Sequence, residues 1–200
     1  MHHHDHSEIP FCTEVIFEPK DCADFDKSGN DRTLVPHSRD AIISCKFKNA
    51  VYVVIAKNIA QYVGCTAKGL GSRFTKGIDK GYDAGYRWQA AFNEFKLYAW
   101  ELPDDRENTF AEAVEADVSM LIRAATGHWP MDLAGLSPQH FSRSGAHFME
   151  SGRWAMEIVH WLVNNKVIAI SEAEQKVLAA ISAAHFEHPV VRQTTDALCE

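Results

Sequence analysis

Long hydrophobic runs are absent from this sequence of 200 residues, although 46% of its residues are hydrophobic. A transmembrane helix needs about 20 consecutive apolar residues, and no stretch approaches that length. The N-terminus also lacks the basic segment followed by an apolar one that marks a secretory signal peptide. We therefore expect no membrane partner, a cytoplasmic location and a chain that buries an ordinary core.

Paired cysteines are lacking as well. The five cysteines include no CxxC pair, and their number is odd; they are Cys12, Cys22, Cys45, Cys65 and Cys199. Neither a disulfide framework nor a zinc knuckle fits this spacing. We expect reduced and mostly buried thiols.

The chain has no excess of positive charge, because its formal net charge is -7 at pH 7. An acidic protein is not excluded from binding DNA, but the surface that contacts DNA must then be locally basic. Basic residues are frequent between Thr66 and Tyr98, where they are Lys68, Arg73, Lys76, Lys80, Arg87 and Lys96. This segment predicts salt-dependent contact with a phosphate backbone, with Lys68, Lys76 and Arg87 as candidate contact residues.

Histidine is concentrated at the N-terminus in the tract "MHHHDHSE". The tract is either natural or the remnant of an expression tag, and it does not enter the fold prediction. It leaves open a metal-sequestering function, in which metal affinity would vanish on deletion of residues 1–6 while the folded core persists.

Three segments in the middle of the chain predict β-strands. Val51–Ala56 is rich in β-branched and aromatic residues, Gln61–Cys65 is a short return strand, and Lys96–Leu102 alternates before a proline. Residues 10–48 have an irregular pattern, apart from Ala41–Phe47, which could form a short strand.

Helices are predicted after the second strand and through most of the C-terminal half. Thr66 can cap a segment whose apolar residues recur at helical spacing. Thr109 and Glu112 form a T-x-x-E capping box for the next helix, and Gly127 lies where that helix should end. A second capping box, Ser171–Glu174, begins the final helix.

The fold predicted from these elements is α+β. It consists of a small three-stranded antiparallel sheet flanked by helices, with additional C-terminal helices. We divide the chain into an irregular N-terminal extension (1–48), a central module (49–131) and a helical C-terminal extension (132–200). The last segment, whose helix carries Trp154 and Trp161, could recognise DNA, mediate a homodimer or complete the core.

Two strand motifs, an arginine and a glutamate follow one another in the central module. The motifs are "AVY" (Ala50–Tyr52) and "YVG" (Tyr62–Gly64); Arg73 follows in "GLGSRF" and Glu115 in "AVEADVSMLIR". In this order and spacing the module resembles the GIY-YIG nuclease superfamily. The resemblance implies a three-stranded sheet with helices on its faces. It also implies hydrolysis of DNA phosphodiester bonds with one divalent cation, Mg²⁺ or Mn²⁺.

The resemblance further implies roles for four residues. Glu115 would hold the metal, Arg73 would stabilise the phosphate in the transition state, and Tyr52 and Tyr62 would orient or deprotonate the attacking water. Ordinary chemistry agrees, because Mg²⁺ keeps several waters and can be anchored by one carboxylate, while a guanidinium binds phosphate bidentately. Glu112 is the competing carboxylate, and its position in the capping box accounts for it.

Each of these residues also has a structural interpretation. Tyr52 and Tyr62 could form a cross-strand aromatic pair, while Arg73 and Glu115 could be surface charges. The alternative function is a GIY-YIG-like module that binds nucleic acid or a protein without cutting. Ala50, in place of the first glycine of the motif, and the acidic net charge favour that alternative.

Overall fold

A computed structural model describes residues 10–19, 32–74, 94–103, 108–130 and 138–186. The strands in these ranges are β1 (Phe11–Pro19), β2 (Arg32–Leu34), β3 (Ala50–Ala56), β4 (Ile59–Thr66) and β5 (Glu94–Glu101). The helices are α1 (Pro36–Ser44), α2 (Asn108–Thr126), α3 (Pro138–Asn164) and α4 (Glu172–Phe186). Residues 70–74 are also helical.

The strands form one antiparallel sheet in the order β2-β1-β5-β3-β4. The first part of β1 pairs with β5, with Phe11 opposite Ala99, and its last residues pair with the short β2. The predicted α+β class is confirmed, and β3, β4 and β5 coincide with the three predicted strands. Because β1 and β2 are added beyond β5, the sheet is larger than predicted, and β4 lies at the opposite edge.

Every side chain of β3 is buried, so the sheet is covered on both faces. Side chains of a strand alternate between faces, and the core accordingly consists of two clusters. We call the two sides the α2 face, which includes Val51, Val53 and Val63, and the tyrosine face, which includes Tyr52 and Tyr62.

The α2 face is covered by helices from the C-terminal half. Phe110, Val114 and Val118 of α2 lie in the same buried cluster as the strand residues, and α3 packs beside α2. Trp154 is buried in this cluster, and Trp161 contacts the rings of Tyr98 and Trp100 at centroid distances of 5.7 and 5.9 Å. Both tryptophans therefore help to complete the core, which was one of the three roles considered for the C-terminal helices.

The tyrosine face is covered by shorter elements. Ile42 of α1 and the apolar residues Leu70 and Phe74 are fully buried against it. Segment 70–74 is held in place from its N-terminal end, because the backbone N–H of Leu70 donates to the carbonyl of Phe47 at 3.2 Å.

The prediction that residues 10–48 are irregular is wrong for β1 and α1. Ala41–Phe47 is not a strand, because its first half belongs to α1. Pro36 occupies the first turn of that helix, where its fixed φ and missing N–H are tolerated. The Ser38 hydroxyl connects α1 to β1 by accepting from the Ile16 N–H at 3.1 Å and donating to the Glu14 carbonyl at 3.3 Å. A short apolar run does not distinguish a strand from a buried helix, which explains the error.

The predicted helix ends are correct at some positions and wrong at others. Gly127 follows α2 with φ of 71° and donates its N–H to the Arg123 carbonyl at 3.0 Å, which is the expected C-terminal cap. Thr109 is not an N-cap, because Asn108 is already helical. The Thr109 hydroxyl instead lies 3.4 Å from Nε2 of His147 on α3. Thr66 is not an N-cap either, because the helix after it begins at Leu70.

The capping box at α4 is confirmed. The Ser171 N–H donates to the Glu174 carboxylate at 2.6 Å, and the Glu174 N–H donates to the Ser171 hydroxyl at 3.3 Å. These bonds hold the pKa of Glu174 below its ordinary value, chiefly through the backbone N–H of Ser171. None of the helices in the described ranges is long and apolar enough to cross a membrane.

We expect Ser171→Ala to lower the free energy of unfolding by about 1 kcal/mol, because the Glu174 N–H loses its acceptor at the N-cap. Urea denaturation followed by circular dichroism measures the change. Ser44→Ala is the matched control, since the Ser44 hydroxyl donates to the Ala41 carbonyl and caps no N–H group. Equal effects of the two substitutions would contradict a capping role for Ser171.

Candidate active site at the edge of the sheet

The hairpin between β3 and β4 sets the orientation of the YVG motif. Its turn residues Lys57 and Asn58 have φ of 53° and 59°, as a two-residue turn of type I′ requires. The register shifts between Val54 and Ile55, since Val54 is opposite Tyr62 and Ile55 is opposite Ala60.

Gln61 is therefore an extra residue in β4, and the ladder contains a β-bulge. Its side-chain amide donates to the carbonyls of Ala56 and Ile59 at 3.3 and 3.2 Å, which fixes the bulged backbone. Because the bulge accommodates Gln61, Tyr62 stays opposite Val54 and on the tyrosine face.

Tyr52 and Tyr62 lie side by side on that face. Their ring centroids are 6.0 Å apart, and the Phe74 ring lies edge-on to Tyr52 at 5.1 Å. The relative exposure of Tyr52 is 0%, whereas that of Tyr62 is 8%. Of the two rings, Tyr62 is thus the one nearer to solvent.

The packing around Gly64 explains why the YVG motif ends in glycine. Its Cα is opposite that of Tyr52, and the Tyr52 ring lies directly over it. A Cβ at position 64 would be 2.6 Å from both Cζ and the hydroxyl oxygen of Tyr52 and 2.6 Å from Cε1 of Tyr62. A side chain at position 64 would therefore have to displace the tyrosine rings, and glycine allows the two tyrosines to pack as they do.

Cys65 brings Glu115 and Arg73 into one neighbourhood. Cys65 packs against the core cluster of the α2 face, and Glu115 of α2 is near enough to act on its thiol. Burial raises the pKa of the Cys65 thiol well above its ordinary value, Glu115 acts in the same direction, and the positive charge of Arg73 opposes both. Glu115 is buried, with 7% relative exposure, while Arg73 is exposed.

The four predicted site residues thus form two groups. The tyrosines lie on the tyrosine face, whereas Glu115 belongs to the helix that covers the α2 face. Segment 70–74 interacts with residues of both faces. Phe74 packs on Tyr52 of the tyrosine face, and the charge of its neighbour Arg73 acts on Cys65, which packs against the α2 face. Within the described residues no strand pairs with the outer edge of β4.

Of the three candidate DNA-contact residues, the structure describes only Lys68. Lys68 is exposed in the turn after β4, where its backbone N–H donates to the Thr66 hydroxyl at 3.2 Å. Lys76 and Arg87 lie outside the described residues. Glu112, which the capping box no longer accounts for, is half-buried on α2.

A divalent cation is compatible with Glu115 as its single protein anchor. The buried carboxylate offers oxygen donors, and Mg²⁺ or Mn²⁺ can complete their coordination with water and phosphate oxygens. No group of three or more His, Cys, Asp or Glu side chains suited to a metal occurs in the parts of the chain that the structure describes. The arrangement therefore does not resemble a closed structural metal site.

The role of Cys65 is the feature that sequence reasoning missed. The only available signal was the alternation of β4, which puts Cys65 on the same side as Val63 and thus toward α2. Its interaction with Glu115 joins a strand to a helix far away in the sequence, and no spacing rule predicts that the two elements pack together.

Comparison with protein-family models finds no match to the chain, and comparisons with curated proteins and with solved structures find none either. The resemblance to GIY-YIG nucleases therefore depends on the motif residues.

We expect Gly64→Ala to destabilise the protein by about 1–3 kcal/mol, because the added methyl group overlaps the Tyr52 ring. Urea denaturation of Gly64→Ala, Tyr52→Leu and the double variant measures the coupling. The double variant should lose less than the sum of the single losses, since the smaller Leu side chain relieves the overlap. Strict additivity would show that the two positions do not interact.

Proposed function

We propose that this protein is a divalent-metal-dependent DNA endonuclease of the GIY-YIG type. The edge of β4 would be its active site, with Glu115 on the α2 side, the two tyrosines on the opposite face, and Arg73 in the segment that packs on the tyrosine face. Tyr52, Tyr62, Arg73 and Glu115 would carry the reaction, and Mg²⁺ or Mn²⁺ would be the metal. A cytoplasmic location and a homodimer belong to the same proposal as expectations from the sequence.

One observation supports this proposal most directly. Arg73 and Glu115 belong to separate elements, yet both act on the thiol that immediately follows the YVG motif. A buried carboxylate and an exposed guanidinium beside one strand end are a suitable pair for phosphoryl chemistry. The carboxylate can hold a cation, and the guanidinium can bind a phosphate through two parallel hydrogen bonds (bidentately).

Each site residue would have a separate role in phosphodiester hydrolysis. Arg73 would bind the scissile phosphate and stabilise the negative charge that develops on it. Tyr62, the more exposed tyrosine, would orient the attacking water, and the buried Tyr52 would hold the Tyr62 ring in position. A cation at Glu115 would supply charge neutralisation as a Lewis acid. Lys68 would contact the DNA backbone.

We expect Glu115→Gln to lower metal-dependent nicking of supercoiled plasmid by roughly 100-fold or more, because the amide cannot anchor the cation as a carboxylate does. Nicking is measured with Mg²⁺ or Mn²⁺ and with EDTA. Glu112→Gln is the matched control, since Glu112 lies one helical turn earlier on α2 and should retain nearly full activity. Thermal unfolding of both variants shows whether either substitution disturbs the fold.

Two results would count against the nuclease. Equal loss in both variants would mean that α2 as a whole, and not Glu115, is needed. Absence of nicking in the parent protein on linear, supercoiled and branched DNA, at either metal, would contradict the proposal.

The second candidate function is a GIY-YIG-like module that binds DNA or a protein without cutting. The complete burial of Tyr52 and its position across the sheet from α2 favour it, because a packed ring needs no catalytic role. In this case the exposed Arg73 and Lys68 would be contacts to the DNA backbone.

DNA binding by Arg73→Ala distinguishes the two functions. If Arg73 contacts a phosphate, its removal should reduce the slope of log affinity against log salt concentration by about 1. A nuclease should in addition lose about 100- to 1000-fold in cleavage rate. Fluorescence anisotropy at several salt concentrations measures the first effect, and Lys46→Ala, an exposed basic residue outside the site, is the control. An unchanged salt slope would exclude a phosphate contact by Arg73.

A further inference from the structure

Gly69 joins two segments that carry exposed basic residues near the end of β4. Its N–H donates to the Lys48 carbonyl at 2.9 Å, and its own carbonyl accepts from the Arg73 N–H at 3.0 Å. Lys68 precedes Gly69 in the chain. Three cationic residues, from two segments separated by the whole of β3 and β4, are therefore attached to one backbone position.

The backbone around Gly69 is fixed on each side. The Leu70 N–H donates to the Phe47 carbonyl at 3.2 Å, which ties the two segments together a second time. The Thr66 hydroxyl donates to the Gly69 carbonyl at 3.4 Å and accepts from the Lys68 N–H at 3.2 Å. Gly69 has φ of 89°, a conformation that glycine adopts without strain. The basic side chains thus extend from a well-defined backbone.

The charged side chains of segments 47–49 and 66–74 are all basic. They are Lys48, Lys68 and Arg73, and all three are exposed. Glu101 is an exposed carboxylate at the same end of the sheet, where its Cα is opposite that of Ala50. Positive charge therefore exceeds negative charge in this group, although the whole chain has a formal net charge of -7. An acidic protein that binds a polyanion needs such a local excess.

We propose that Lys48, Lys68 and Arg73 form one contact surface for the phosphate backbone of double-stranded DNA, to which the fold adds Lys48 from a distant part of the sequence. The inference rests on the proposed function, because it extends the DNA contacts proposed there for Lys68 and Arg73. Lysine binds a phosphate as a point charge, and each such contact releases counterions from the DNA. Arg73 precedes Phe74, which packs on Tyr52, so the surface continues from Lys48 toward the candidate active site.

Lys48→Gln should reduce the slope of log affinity against log salt concentration by about 1, because one phosphate contact is lost. A variant that carries both Lys48→Gln and Lys68→Gln should reduce the slope by about 2. Lys57→Asn is the matched control, since it removes the same charge from the opposite end of β3 and asparagine tolerates the positive φ of that position. Lys46→Gln is a second control, because Lys46 is exposed but precedes the hydrogen-bonded residues.

Fluorescence anisotropy of the full chain with a labelled DNA duplex measures the affinity at several salt concentrations. EDTA is present so that the DNA is not cut, and circular dichroism shows that each variant is folded. The parent, Lys57→Asn and Lys46→Gln should share one slope. The slope should be smaller for Lys48→Gln and smallest for the double variant.

Two results would overturn the inference. If Lys48→Gln keeps the parent slope while Arg73→Ala lowers it, DNA does not contact Lys48 and the proposed function is unaffected. If Lys46→Gln or Lys57→Asn lowers the slope as much as Lys48→Gln does, the effect reflects the total charge of the protein and not a contact at Lys48. Absence of salt-dependent binding by the parent would instead reject DNA as the partner, and the proposed function with it.

Discussion

The burial of β3 on both faces is the constraint on which the rest of the structure depends. A strand with no exposed side chain needs apolar cover above and below, and two separate parts of the chain provide it. The α2 and α3 helices cover one face, while α1 and segment 70–74 cover the other. The candidate site lies at β4 because β4 is the adjacent edge strand, where elements from both layers meet.

The central part of the fold could be predicted from sequence because its signals are local. The β-branched run of β3, the alternation of β5 and the serine–glutamate box of α4 each depend on residues close together in the chain. The sequence pattern of β1 is weaker, because the strand buries few side chains. Val15 is buried, whereas Cys12 and Glu14 are exposed. For α1, the apolar pair Ile42 and Ile43 fits a strand as well as a helix, and only tertiary packing decides.

The site could be predicted only as a set of residues, and not as an arrangement. Spacing identifies Tyr52, Tyr62, Arg73 and Glu115, but it does not reveal that a sheet lies between the tyrosines and α2. It also does not reveal that α2 packs against β4, which brings Glu115 close to Cys65. Such contacts depend on how layers stack, and a single sequence contains no record of them.

The bulge at Gln61 also governs which length changes the hairpin can accept. Deleting this residue would leave a regular ladder with Tyr62 still opposite Val54, because the turn at Lys57 and Asn58 already pairs Ala56 with Ile59. A deletion between Tyr62 and Gly64 would instead exchange motif side chains between the two faces, since strand residues alternate. The hairpin can therefore lose a residue at the bulge without changing which face each motif side chain occupies, whereas the spacing within the motif is fixed by the geometry of the sheet.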